Sequence, residues 1–101
     1  MRIIAVSFLK SFWQQHPDAK QPLLSWVDEV RKAHWSRPDQ IKQQYRSASI
    51  LKDRRAVFNI KGNDYRLVVS VAYHYQAVYI KFVGTHHEYD AIDADTVEME
   101  P

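Results

Sequence analysis

The chain has 101 residues, 46% of them hydrophobic and 26% charged, and contains no cysteine. That length and mix fit one soluble globular domain spanning residues 1–101, and they exclude a disulfide framework and any thiolate zinc site. The net charge of +2 conceals an asymmetry that favours a polyanionic partner. Residues 1–85 hold all fourteen Lys and Arg against six acids, an excess of eight, while residues 86–101 hold the other six acids and no cation.

The opening MRIIAVSFLK has too short an apolar run for a signal peptide, and no small-residue cleavage site follows it. No segment reaches the roughly 20 apolar residues of a membrane span. A cytoplasmic protein with no membrane association is expected. Arg2–Val6 is short and β-branched, which predicts a first strand. Ser7 is placed to cap a following helix, in which Phe8, Leu9, Phe12 and Trp13 form an apolar stripe at helical spacing. His16-Pro17-Asp18 should stop that helix, because the residue before proline leaves the α region. Asp18 is then a candidate cap for a second helix, with Pro22 in its first turn and Leu23, Val27, Val30 and His34 along one face. Arg37-Pro38 should end it. Residues 38–53 are polar, and only Ile41 and Tyr45 suggest further helical turns. The tryptophans at 13, 26 and 35 read as core.

Arg54 to Asp90 reads as three strands and a polar corner. A turn at Gly62-Asn63 pairs Ile60 with Tyr65, Asn59 with Arg66 and Phe58 with Leu67. Ala56, Phe58, Ile60, Tyr65, Leu67, Val69, Val71 and Tyr73 then share one apolar face. Val57, Asn59, Arg66, Val68 and Ser70 share the other. A second turn at Tyr75-Gln76 pairs Val71 with Ile80, Ser70 with Lys81, Val69 with Phe82 and Arg66 with Thr85. The fold class is therefore α+β: a small twisted antiparallel sheet with two N-terminal helices packed on one face. Tyr79 and Lys81 fall on the open face with Arg66.

This register sets Arg66 beside His86, His87, Glu88, Tyr89 and Asp90. RNA cleavage without a metal needs a base for the ribose 2′-hydroxyl, an acid for the leaving 5′-oxygen and a cation for the phosphoryl oxygens. Histidine suits both proton transfers near neutrality, and the arginine fork suits the phosphoryl group. Glu88 or Tyr89 can orient a histidine or share the proton work. Each residue also has an ordinary structural reading: an ion-paired arginine, a solvated His-His loop, or a capped start of a short helix at Glu88-Tyr89-Asp90. His16, His34 and His74 read as loop, helix-edge and turn residues. His86, His87, Glu88, Asp90 and Asp93 are metal-ligand types, but they match no zinc spacing, so no metal and no cofactor is expected.

The order strand, two helices, then GNDYRLV (Gly62–Val68) and THHEYD (Thr85–Asp90) resembles the HigB family of toxin–antitoxin toxins within the RelE-like ribonucleases. The resemblance spans nearly the whole chain and implies a microbial ribonuclease fold. It also implies metal-independent mRNA cleavage, usually in the ribosomal A site, through a 2′,3′-cyclic phosphate. The partners it implies are mRNA, the ribosome and a cognate helix-turn-helix antitoxin. Arg66 would bind the phosphate in the transition state, and the acid and base would come from His86 and His87 first, then Glu88 and Tyr89. Arg54, Arg55, Lys61 and Lys81 would hold RNA backbone. The chain departs from many RelE-like nucleases in its acidic last sixteen residues, which hold one tyrosine, Tyr89, so the acid and base roles stay open among these four. The acidic tail, about residues 94–101, is expected to fold back over the basic body and compete with RNA. The alternative reading is a non-catalytic basic module that binds RNA or protein through the open face.

Overall fold

A computed structural model describes residues 1–99; Glu100 and Pro101, the end of the expected acidic tail, lie outside them. In chain order the elements are β1 (Arg2–Ile4), α1 (Val6–Gln15), a 3-10 turn (Pro17–Ala19), α2 (Lys20–Lys32) and α3 (Pro38–Gln44). There follow β2 (Ser49–Ile50), β3 (Arg55–Ile60), β4 (Tyr65–Ala72), β5 (Ala77–Thr85) and α4 (His86–Asp90). The strands form one sheet in the order β1-β5-β4-β3-β2. The central β3-β4-β5 meander is antiparallel, as expected from the alternation. The short edge strand β1 pairs with β5 in parallel, so the complete sheet is mixed.

The apolar stripes explain the packing. Leu9 on α1 and Leu23, Trp26, Val27 and Val30 on α2 are buried, each such side chain contributing roughly 1.5–3 kcal/mol through removal from water. They meet Ala56, Phe58, Ile60, Tyr65, Leu67, Val69 and Val71, the sheet face expected from sequence. Phe58 is the centre of an aromatic group, with Trp26 at 5.4 Å, Trp35 at 6.3 Å and Tyr45 at 5.1 Å between ring centroids.

Several local expectations are corrected. The cap of α1 is Ala5, and Ser7 lies inside the helix without capping it. Asp18 sits in the 3-10 turn and does not cap α2; its carboxylate is taken by Lys61 and Tyr65 instead. Helix α2 stops at Lys32, where Ala33 turns extended, so His34 is exposed beyond the helix. Pro38 starts α3 rather than ending α2, in keeping with its fixed φ at a first helical position.

The first hairpin keeps the expected register, with Asn59 opposite Arg66 and Phe58 opposite Leu67. The second does not. Tyr75-Gln76 lacks the Gly or Asn that a two-residue turn favours, and the loop widens to Tyr73–Gln76, with Ala72 opposite Ala77. A β-bulge between Val68 and Val69 then leaves Lys81 as the extra residue on β5. Ser70 consequently faces Tyr79 and not Lys81, Val69 faces Ile80 and not Phe82, and Arg66 faces Gly84 and not Thr85. Val83 takes the core position and Phe82 moves to the open face opposite Val68.

Candidate functional site

The open face is built from alternate residues of β3, β4 and β5, closed at one end by α4. Thr85 caps α4: its hydroxyl accepts from the Glu88 amide at 3.1 Å, while Glu88 Oε1 accepts from the Thr85 amide at 2.8 Å. This reciprocal arrangement is the S/T-x-x-E capping box, and it fixes the direction in which His86–Tyr89 leave the strand. The His86 amide donates to the Asp64 carbonyl at 3.0 Å, which ties the start of α4 to the β3–β4 turn.

Arg66 reaches the same turn. Its Nη1 donates to the carbonyls of Asn63 (3.0 Å) and Tyr65 (3.3 Å), and its guanidinium carbon lies 5.8 Å from the centroid of the Tyr89 ring. Phe82 flanks Tyr89 at 6.4 Å. Among the described residues Arg66 has no carboxylate partner, so its charge stays available to an anion. His86 Nε2 stands 3.6 Å from Asp90 Oδ2 across one turn of α4, close but beyond hydrogen-bond length. His87 and Glu88 are exposed. The Glu88 carboxylate is engaged in the cap, so it positions α4. Among the described residues no three His, Asp or Glu side chains converge closely enough to hold a metal ion.

The cations expected to hold RNA divide into three groups. Lys61 is paired with Asp18 at 2.7 Å and Asp64 at 3.4 Å. The Lys61 ammonium, and after it the Tyr65 phenol, hold the Asp18 carboxyl below its ordinary range; Lys61 and Tyr65 are pushed up in return, each first by its hydrogen bond to Asp18. Arg55 and Lys81 are both bound to Glu98. Arg54 sits at the opposite end of the sheet from α4, in the Asp53-Arg54 turn, where both residues adopt left-handed φ values of 57° and 61°. It borders a small pocket with Tyr73, His74 and Tyr75. Arg55 lies opposite Ser70, four residues along β4 from Arg66, or about 13 Å at the usual strand rise. The structure therefore brings Arg66, His86 and Tyr89 into one corner, leaves Arg54 remote from it, and places Arg55 and Lys81 between. Sequence reasoning missed Asp64 and Glu98. Asp64 meets α4 through its backbone carbonyl, which leaves no side-chain signal for that contact, and Glu98 is visible in the sequence only as part of the acidic tail.

Residues 19–92 match the model of the HigB toxin family, described as the RelE-like toxic component of a toxin–antitoxin system. The chain belongs to this family. It is 32% identical over 96 residues to the mRNA interferase toxin HigB of Escherichia coli K12, an alignment covering 93% of this chain and 92% of that protein. The mRNA interferase HigB proteins of Escherichia coli O157:H7 and Shigella flexneri match over the same shares at the same identity. The family match contains the whole β3–β4–β5 meander and α4, and with them Arg66, His86, His87, Glu88 and Tyr89. No described helix of this HigB-family toxin is long and apolar enough to cross a membrane.

Proposed function

We propose that this toxin is a cytoplasmic endoribonuclease that cleaves mRNA at the corner formed by Arg66 and α4, using no metal. The observation that carries the reading is Arg66, a cation on an open sheet face with no carboxylate partner among the described residues, set against the Tyr89 ring of α4, the short helix that also carries two exposed histidines. The names of the relatives, mRNA interferases, support the substrate class. A nuclease of this kind needs a base to remove the proton of a ribose 2′-hydroxyl. The 2′-oxygen then attacks phosphorus, the bond from phosphorus to the 5′-oxygen breaks, and an acid protonates that oxygen. The products are a 2′,3′-cyclic phosphate and a 5′-hydroxyl. His86 and His87 supply the proton transfers. Arg66 stabilises the charge that develops on the phosphoryl oxygens. Tyr89 holds the arginine and offers a ring on which a splayed base can stack.

The substrate is mRNA positioned in the ribosomal A site, and the natural inhibitor is a helix-turn-helix antitoxin. Primer extension on a translated mRNA tests this with the wild-type chain and a His86→Ala/His87→Ala variant. New 5′ ends are expected with the first and not the second. The same reaction on the mRNA without ribosomes reads the ribosome requirement. No new ends in the presence of ribosomes would reject the nuclease and leave a binding module.

A further inference from the structure

The open face carries a second feature, at some distance from the α4 corner. After α4 the chain makes a turn in which the amides of Thr96 and Val97 donate to the Asp93 carbonyl at 3.1 and 2.9 Å, and the following residues cross the sheet. Arg55 Nη1 donates to the carbonyls of Ala94 (3.2 Å) and Val97 (2.8 Å), and its Nη2 to Glu98 Oε2 at 2.6 Å. The other oxygen of the same carboxylate, Oε1, accepts from Lys81 Nζ at 2.8 Å. Arg55 is on β3 and Lys81 on β5, so Glu98 straddles β4. The arrangement leaves Arg55 with only 11% of its side chain exposed, although Glu98 itself is half exposed. Val57 and Val68, on the same face of the sheet, are buried yet stand outside the main core. Residues 93–99 lie outside the segment that matches the family model.

A carboxylate with one oxygen on an arginine and the other on a lysine has the acceptor pattern of a phosphodiester with its two non-bridging oxygens. Both cations are contributed by the body, which carries the positive excess, and the carboxylate comes from the tail, which carries the negative one. Lys81 alternates with the core residue Ile80 and so shares this face with Tyr79, and the β5 bulge that follows adds Phe82 to it. We infer that Arg55 and Lys81 form an anion site for an RNA backbone phosphate, which Glu98 occupies as an internal stand-in and which RNA must win by displacing it. The inference rests on the open face being where RNA binds. It makes the tail a brake on loading, acting by competition for two cations and leaving the Arg66 corner unobstructed.

The test uses the full chain and a fluorescent single-stranded RNA blocked at its 2′-oxygens, so that binding is read without cleavage. Glu98→Gln keeps the shape of the side chain and leaves the Ala94 and Val97 carbonyls on Arg55. It should bind the RNA about three- to tenfold more tightly at low salt. The slope of log affinity against log salt should steepen by about 0.7 for each phosphate newly neutralised. Adding Lys81→Gln to Glu98→Gln should remove the gain. Unchanged affinity and slope in Glu98→Gln, or a gain that survives Lys81→Gln, would overturn the inference. Tighter binding of blocked RNA without cleavage of translated mRNA keeps the site and rejects the nuclease reading. Cleavage at wild-type affinity in Glu98→Gln does the reverse.

Discussion

The guanidinium carbon of Arg66 lies 5.8 Å from the centre of the Tyr89 ring, and this contact joins β4 to α4 at the point where the proposed chemistry takes place. It separates two roles for the tyrosine. If the ring matters because it holds the arginine, Tyr89→Phe keeps the contact and Tyr89→Ala loses it, at about 0.5–1 kcal/mol for a cation–π pair at an exposed site. Growth arrest on expression should therefore survive Tyr89→Phe with little change and weaken in Tyr89→Ala. Arg66→Ala should abolish arrest, with cleavage down at least about 100-fold, the scale of losing one transition-state donor. Arg66→Lys should not restore it, because a lysine lacks the planar fork. Loss of activity in Tyr89→Phe equal to that in Tyr89→Ala would assign the phenol a proton-transfer role instead.

Glu88 and Thr85 form the cap that aims α4, so their substitution should act through position. Glu88→Gln preserves a side-chain oxygen that can accept from the Thr85 amide, and it should retain the stability and most of the activity of the parent. Glu88→Ala and Thr85→Ala each remove half of the box and should cost about 0.5–2 kcal/mol. Chemical denaturation read beside mRNA cleavage checks this. A Glu88→Gln variant of full stability that has lost cleavage would make the carboxylate part of the chemistry.

The legible part of this chain was the part ruled by alternation. Phe58, Leu67 and Val69 announced their face because a strand buried on one side must alternate, and the Gly62-Asn63 turn set their register without help from the rest of the molecule. The second hairpin departs from the expected register because its loop takes four residues, Tyr73–Gln76, and because a bulge has no signature in residue type, so that nothing marks the extra residue until Val83 and Ile80 are both seen in the core. The contacts of Arg66 with the Tyr89 ring and the Asn63 carbonyl do not depend on which residue stands directly across the strand. Asp18 was misplaced for a different reason. Helix capping is a local preference, and a lysine and a phenol from 43 and 47 residues away outcompeted it.

That Asp18 contact sets a pH dependence. The Lys61 hydrogen bond first, and then the Tyr65 hydroxyl, lower the carboxyl below its ordinary value. A group depressed in the folded state adds stability that is complete above its unfolded value, about 3.9 for aspartate. That stability is lost as the pH falls through the lower folded value. Asp18→Asn should therefore unfold at a lower urea concentration than the parent near neutrality, and the two midpoints should converge in acid, once the pH has fallen through the lowered folded value. Urea titrations at the two pH values provide the comparison. A gap that persists in acid would mean that Asp18 acts by packing and not by charge.

Gly84 is required for space, whereas Gly62 is required for backbone conformation, and substitution should tell them apart. A methyl carbon placed at Gly84 would sit 2.5 Å from Cζ of Phe82 and 3.0 Å from Oε1 of Glu88, while one at Gly62 meets nothing within 4 Å. Gly62 instead has φ +64°, a left-handed turn conformation that asparagine tolerates well. Gly62→Asn should then be close to neutral. Gly84→Ala must push aside the Phe82 ring or the carboxylate that caps α4, both at the residue facing Arg66. Overpacking of this kind costs about 1–3 kcal/mol, or a fall in melting temperature of about 4–8 °C per kcal/mol for a chain of this size. Activity should fall further than stability alone accounts for, because displaced α4 residues carry His86 and His87 away from Arg66. Phe82→Leu added to Gly84→Ala frees room beside the new methyl group and should recover part of the melting temperature. If the double variant melts no higher than Gly84→Ala alone, the Phe82 contact is not what makes glycine necessary there.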